Sequence, residues 1–376
     1  MIQQNRLVEE FISLVQVDSE TKHEQSISQV LKDKFSALGL AVSEDDSQAK
    51  SGHGSGNLIC TLEATAPDDG IPTIFFTSHM DTVAPGKGIK PQIGEDGIIR
   101  SDGTTILGSD DKAGIAVMFE AIRALKENRI QHGRIQFVIT AGEESGLKGS
   151  RAMDRKWMEA EFGYALDSNG EIGDIATAAP GRAEITITFH GRSAHAGVNP
   201  EEGISAIQVA SKAVSRMSLG RIDKETTANI GSFSGVGPLN VVCDRVTIEA
   251  EARSIVQRKL EAQIESMRKA CEAAAAEAGS TCDFASDIAY ASYMHDDSAP
   301  VVQLASRALA SIGLTAKTFH SGGGSDANIF NGMGIPTVNL AVGYKEIHTT
   351  KEHIAISDLV KTAELVVAIV QESAKK

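Results

Sequence analysis

Four short apolar stretches in this chain each lead to residue types that can ligate metal ions. "PTIFFTS" leads into His79-Met80-Asp81, "IQFVITAG" into Glu143-Glu144 and "GYAL" into Asp167, and "TVNLAVG" is followed by His348. Each stretch reads as a strand. In an open α/β sheet, ligands bind in the crevice outside the carboxyl ends of the strands. Four such ends, far apart in sequence, would converge on one place. Taken singly, a His after a strand is most simply a hydrogen-bonded loop residue, and a Glu pair is most simply solvated. Asp110 and Asp111, at the start of "KAGIAVMFEAIRALKEN", are most simply a helix N-terminus favoured by the dipole. The bland reading has to explain all five placements separately.

The stretches between these strands have helical spacing. Residues 3–16 and 24–39 read as amphipathic helices, the second ending at Gly39. "NLICTLEA" reads as a further strand, and "DGIIRSDGTTILG" as a small hairpin with Asp-Gly turns. A helix is expected from Asp110. "SRALASIG" and "SDLVKTAELVVAIVQESA" close the chain as helices around the strand "PTVNLAVG". Strand and helix alternate, the pattern of a parallel α/β sheet. The texture changes in between. "RAEITITFHG" alternates with period two, a helix is expected over 202–217, two strands follow at "TTANIGSF" and "RVTIEAEARS", then a long helix and the strand "TCDFASDIAYAS". The order β-α-β-β-α-β is a unit with its own logic. The expected fold is therefore α/β: a mixed, mostly parallel sheet with helices on both faces, residues 1–179 and 294–376, carrying an inserted ferredoxin-like domain over 180–293.

The chain of 376 residues is 41% hydrophobic and 23% charged, the composition of a globular protein with a real core. A formal net charge of −14 argues against nucleic acid and anionic membrane as partners. No apolar run reaches the length of a membrane span, and "MIQQNRLVEEFISLV" lacks the basic and apolar regions of a secretory signal. The four cysteines are scattered without a CxxC pair, which fits a reduced, cytoplasmic protein.

Two His and several carboxylates suit a borderline divalent ion such as zinc, manganese or cobalt, and the lack of thiolates favours an open, catalytic site. If the strand persists through His79-Met80-Asp81, His79 and Asp81 share a face, and Asp81 can accept the other ring N–H of His79. Glu143 and Glu144, as neighbours, point in different directions. One can bind an ion while the other acts as general base.

"TSHMDTV", "GSDDKAG", "TAGEESGLKGS", "ALDSNG", "GRSAHAG" and "EIHTTKEH" resemble, in order, the motifs of the M20 metallopeptidases. "SDGTTILGSDDKAGIA" is similar to the peptidase T branch, the tripeptide aminopeptidases. The resemblance implies a zinc-exopeptidase-like fold, two divalent ions, a short peptide substrate and a homodimer through the inserted domain. Carried over residue by residue, His79 and Asp167 would ligate one ion, Glu144 and His348 the other, and Asp110 would bridge them, followed by a cis peptide. Asp81 would orient His79. Glu143 would be the general base for a water activated by the two ions. His195 would donate to the oxyanion, acting on the neighbouring subunit's site. Asn240 and Arg253 would hold the substrate backbone or its terminal carboxylate, and the loop with Gly323 and Gly324 would contact substrate. Two positions depart from the branch: Gly142 stands where peptidase T has Asp, and "HTTKEH" replaces "HGKHE". A deacylase or carboxypeptidase-like amidohydrolase of the same family is the alternative activity. A non-catalytic peptide binder on this fold is a third, against which the intact Glu143 argues.

Overall fold

Strands Ile135–Thr140, Ile74–His79, Phe162–Ser168 and Thr337–Ala341 lie side by side and parallel at the centre of the main sheet. The computed structural model describes residues 1–66 and 70–375 of the chain. Both faces of these strands are covered, so successive side chains are buried in opposite directions. In Ile74–His79, Ile74 and Phe76 enter the larger core with Phe137 and Tyr164, while Phe75 packs against Phe330 on the other face. Gly163 is required beneath Phe75, because a Cβ there would lie 2.0 Å from the ring. Helices Gln4–Val15, Ser109–Glu127 and Ile356–Ser373 contribute Phe11, Phe119 and Leu365 to the larger core.

The sheet is mixed, as expected, and mostly parallel only in its middle. Leu58–Leu62 joins Ile135–Thr140 antiparallel, and Ala41–Glu44 joins Leu58–Leu62 antiparallel. Asp174–Ala179 runs antiparallel to Thr337–Ala341, and Lys317–His320 pairs with it in parallel. The strands at 41–44, 174–179 and 317–320 have no counterpart in the sequence reading. Ala41–Glu44 and Lys317–His320 show solvent-facing patterns without a long apolar run.

The expected hairpin at 96–108 is different in the structure. Ile98–Arg100 pairs back with Gln92–Ile93 and, on its other side, with His353–Ala355. The segment after it forms no ladder, because side chains take its main-chain groups. The Ser101 hydroxyl donates to the Thr105 carbonyl, Asp102 accepts from Thr104, and Glu352 accepts from Leu107 and Gly108.

The contacts separate two units: Met1–Ala178 with His295–Ser321 and Ser325–Lys376, and Ala179–Met294 with Gly322–Gly324. The second unit has a five-stranded sheet in the order Gly220–Arg221, Thr226–Ser234, Arg245–Ser254, Gly181–His190, Thr281–Tyr290, antiparallel throughout. Period-two alternation sends Ala183, Ile185, Ile187 and Phe189 into its core. Helices Ala206–Ser215 and Gln257–Glu277 cover that face with Val209, Ala213, Leu260 and Met267. The first of these helices starts at 206 rather than 202. Ser205 caps it through the Gln208 N–H, and Pro200–Glu202 form a separate 3-10 turn.

Candidate metal centre

The first unit brings His79, Asp110, Glu144, Asp167 and His348 together. His79 ends its strand and Asp167 lies one residue before the end of its own. Glu143 and Glu144 follow Ile135–Thr140 in a tight loop, and His348 sits in the loop after Thr337–Ala341 with φ +63°. Asp110 and Asp111 precede the regular part of Ser109–Glu127. Their backbones are non-helical (φ −85°, ψ 98° and φ −125°, ψ 33°), and the peptide between them is cis.

Asp110 stands between two imidazoles. Its Oδ1 lies 3.0 Å from Nε2 of His79, and its Oδ2 lies 3.2 Å from Nε2 of His348. Asp167 Oδ1 is 3.8 Å from the same His79 nitrogen, and Glu144 Oε1 is 3.0 Å from that of His348. Donor atoms of His79, Asp110 and Glu144 lie within 4.8 Å of one another, as do those of His79, Asp111 and Asp167. Asp111 divides its carboxylate. Oδ1 accepts from the Gly114 N–H at 3.3 Å at the helix start, and Oδ2 is buried without a hydrogen bond.

Asp81 is placed differently from the expectation. The strand stops at His79, so the shared face is lost. The His79 Nδ1 contact goes to the main-chain oxygen of Asp81 at 2.8 Å, and the Asp81 carboxylate is 3.6 Å away. That carboxylate instead accepts the main-chain N–H groups of Glu143 (3.0 Å) and Glu144 (3.2 Å). It holds the Glu pair, while the chain at Asp81 fixes the ring.

The electrostatics fit an occupied cation site. Burial raises Asp111, Glu143, Asp167 and Glu144 above the usual carboxylate range, and neighbouring carboxylates push them further. For Asp110 burial also opposes the charge, but the hydrogen bonds from His348 and His79 outweigh it and lower the carboxyl. His348 is pushed up to about 10 by its bonds to Asp110 and Glu144. A dense set of carboxylates and imidazoles, with one buried oxygen unpaired, is the donor chemistry of divalent ions. Glu143 differs from Glu144: among the described residues nothing donates a hydrogen bond to its carboxylate.

Residues 75–372 match the model of peptidase family M20/M25/M40. The chain belongs to that family. It is 57% identical over the full length of both chains to the Bacillus subtilis (strain 168) uncharacterized protein YqjE. It is 27% identical to peptidase T of Geobacillus thermodenitrificans, covering 97% of each. Among solved structures, it matches the aminopeptidase PepT of Bacillus cereus at 58% identity and a TM-score of 0.93, over 100% of both chains. A tripeptidase of Staphylococcus aureus matches at 45% identity and a TM-score of 0.95, again over 100% of both.

Around the M20 cluster stand residues that the sequence reading did not single out. The Tyr344 hydroxyl donates to Asp167 Oδ1 at 3.1 Å. Asn339 accepts the Asp167 N–H and donates to its carbonyl. Its signal was a polar residue inside an apolar strand. Asp326, opening helix Asp326–Gly332, accepts the hydroxyls of Thr140 and Ser150. Asn57, held by Asp45, bonds Ala141 N–H and Gly149 O, and so braces both ends of the Glu loop. His53 bonds Ser145 at 2.7 Å and fills the space over Gly142, where a Cβ would lie 2.4 Å from the ring. The departure at Gly142 thus has a steric cause.

His195, Asn240, Arg253, Gly323 and Gly324 belong to the second unit. His195 and Asn240 meet there: the Ala196 N–H donates to the Asn240 carbonyl at 2.8 Å, and His195 forms a bridge with Val241. Arg253 lies at the other end of the sheet, in register with Arg182, and its guanidinium holds Glu251 at 2.8 and 3.0 Å. Gly324 is at that same end, where a Cβ would strike the Tyr290 ring at 2.4 Å.

Proposed function

We propose that this chain is a dimetal aminopeptidase that releases N-terminal residues from short peptides, tripeptides above all. The observation that carries the reading is the Asp110 carboxylate set between two imidazole nitrogens, each flanked by a further carboxylate. The full-length likeness to an aminopeptidase and a tripeptidase supports the substrate class. His79, Asp110 and Asp167 would hold one ion, and Asp110, Glu144 and His348 the other. Two ions there, zinc before manganese or cobalt given two imidazoles, would acidify a water and polarise the scissile carbonyl. Glu143 takes the proton of the attacking water on its free carboxylate and returns it to the leaving amine. Asp81 keeps Glu143 and Glu144 in fixed register for this. His195 donates to the developing oxyanion. Asn240, Gly323 and Gly324 bind the peptide backbone. Arg253 takes its terminal carboxylate, in competition with Glu251.

In the same reading, residues 180–293 serve as a lid and dimerisation domain, and His195 acts in the neighbouring subunit's site. Strand register supports this. His190 pairs with Arg245 and Arg182 with Arg253, so the two ends of the sheet are eight residues apart. At about 3.4 Å per residue that is about 27 Å, whereas an extended tripeptide spans about 10 Å. His195 follows the His190 end and Arg253 stands at the other, which favours their serving different peptides. The exposed apolar side chains near His195 and Asn240 also favour pairing: Val198, Leu239 (103% exposed), Val236 (90%) and, beyond them, Phe233. With four unpaired cysteines the protein is read as cytoplasmic.

Incubating the purified, zinc-loaded protein with free tripeptides, N-acetylated tripeptides and N-acyl amino acids tests the reading. The expected result is release of the N-terminal residue from free tripeptides only. Turnover confined to N-acyl amino acids would replace it with the deacylase.

A further inference from the structure

Four positions after His348, in the same loop, lies Glu352, only 1% exposed. Its two oxygens accept four hydrogen bonds from one short segment. Oε2 takes the main-chain N–H groups of Leu107 (2.8 Å) and Gly108 (2.9 Å). Oε1 takes the Ser109 hydroxyl (2.6 Å) and the main-chain N–H of Asp110 (3.0 Å). These N–H groups precede the regular helix and, among the described residues, have no main-chain acceptor, so the carboxylate satisfies donors that burial would otherwise leave unpaired.

The consequence is a closed circuit. His348 Nε2 touches Asp110 Oδ2, the chain runs from His348 to Glu352, and Glu352 holds the Asp110 main chain. Two groups flanking the second ion position are thereby kept in register by one carboxylate. The first ion position has supports of its own. His79 ends a central strand and is bonded to Asp81, while Asp167 is held by Asn339 and Tyr344. His348 is half-exposed, and its loop is tied by the main-chain bridge between Lys345 and His353, by local bonds at Thr349 and, to the 107–110 segment, by Glu352.

We infer that Glu352 is a positioning residue for the ion held by Asp110, Glu144 and His348, and that its loss weakens this ion more than the His79–Asp110–Asp167 ion, which shares Asp110 but keeps the separate supports of His79 and Asp167. The inference rests on the dimetal reading above. Substituting an outer partner of a metal site characteristically weakens binding by about 10–100-fold.

The test titrates chelator-stripped protein with Co²⁺, following stoichiometry by equilibrium dialysis and ligand geometry by visible absorption. Wild type should bind two ions per chain. Glu352→Gln, which removes the charge and sets its amide NH2 against at least one main-chain N–H, should bind the second ion about 10–100-fold more weakly and the first with a smaller loss. Ser109→Ala removes one of the four bonds, keeps the fold and should show a smaller loss in the same ion. Leu31→Ala, a core substitution away from the cluster, should lower the melting temperature and leave both affinities alone. Equal loss of both ions in Glu352→Gln and Ser109→Ala, or no loss of the second, would overturn the inference. Failure of wild type to bind a second ion would instead refute the dimetal reading, so the two failures are distinguishable.

Discussion

On the proposed dimer, combining His195→Ala and Glu143→Ala subunits separates action across the subunit boundary from action within a chain. The two ends of the inserted sheet lie about 27 Å apart by strand register, and on the proposed reading a peptide held by Arg253 of one chain takes its oxyanion donor from the other chain. Each homodimeric variant should be nearly inactive. Loss of the base costs about 10²–10⁴-fold, and loss of an oxyanion donor about 10²–10³-fold. In a mixed dimer with His195 acting in trans, one site has Glu143 from its own chain and His195 from the partner chain. The other site lacks both. Dimers co-expressed with two different tags and purified through both should therefore show about half the wild-type rate per dimer. The recovery stands at least about fifty-fold above either parent, so a tripeptide assay resolves it easily. If His195 serves its own chain, each site in the mixed dimer lacks one group and the rate stays at the parental background. That result, or full activity in a monomer by light scattering, would refute the reasoning.

Other substitutions address single residues. Glu143→Ala should keep both ions by elemental analysis and lose about 10²–10⁴-fold in turnover; loss of an ion instead would exchange its role with that of Glu144. Asp110→Ala should deplete both ions, whereas Asp111→Ala should spare the His348 side, and the reverse pattern would move the bridge to Asp111. Gly142→Asp should destabilise by about 1–3 kcal/mol through overpacking against His53 and slow turnover by displacing the Glu loop. His53→Ala in the same chain should restore part of both, measured by thermal melting and tripeptide hydrolysis, and an unperturbed Gly142→Asp single variant would contradict the steric account.

The residues drawn into the cluster were legible because each ends or follows an apolar run, and a parallel sheet aligns such ends by its own geometry. His79 and Asp167 needed no knowledge of loop shape, whereas His348 is brought in by the loop that follows its strand. The Glu pair needed only the end of Ile135–Thr140. Choosing between neighbours was harder. Asp110 and Asp111 differ through a backbone that leaves helical angles at both positions, and no residue pattern encodes that. The structure gives Asp110 both imidazoles and leaves Asp111 with one unpaired oxygen.

Asp81 shows where periodicity stops working. The period-two argument held only while the strand did, and the strand ends two residues earlier. Past that point the carboxylate is free to turn to the Glu143 and Glu144 N–H groups, which lie 62 and 63 residues away in sequence. The same limit hides Glu352, Asn57 and His53. Each satisfies or shields main chain that only the folded loops leave exposed, at sequence separations from 84 to 245 for the bonds of Asn57 to Ala141 and of Glu352 to Leu107. A ligand is recognised by its chemistry and by where its strand ends. A residue that holds a ligand in place is recognised only by the orphan donors it meets, and those donors exist only once the backbone has departed from helix and strand. The proposed ion ligands are thus written mostly into the pattern of apolar runs, and the groups that set their positions are written into the loops.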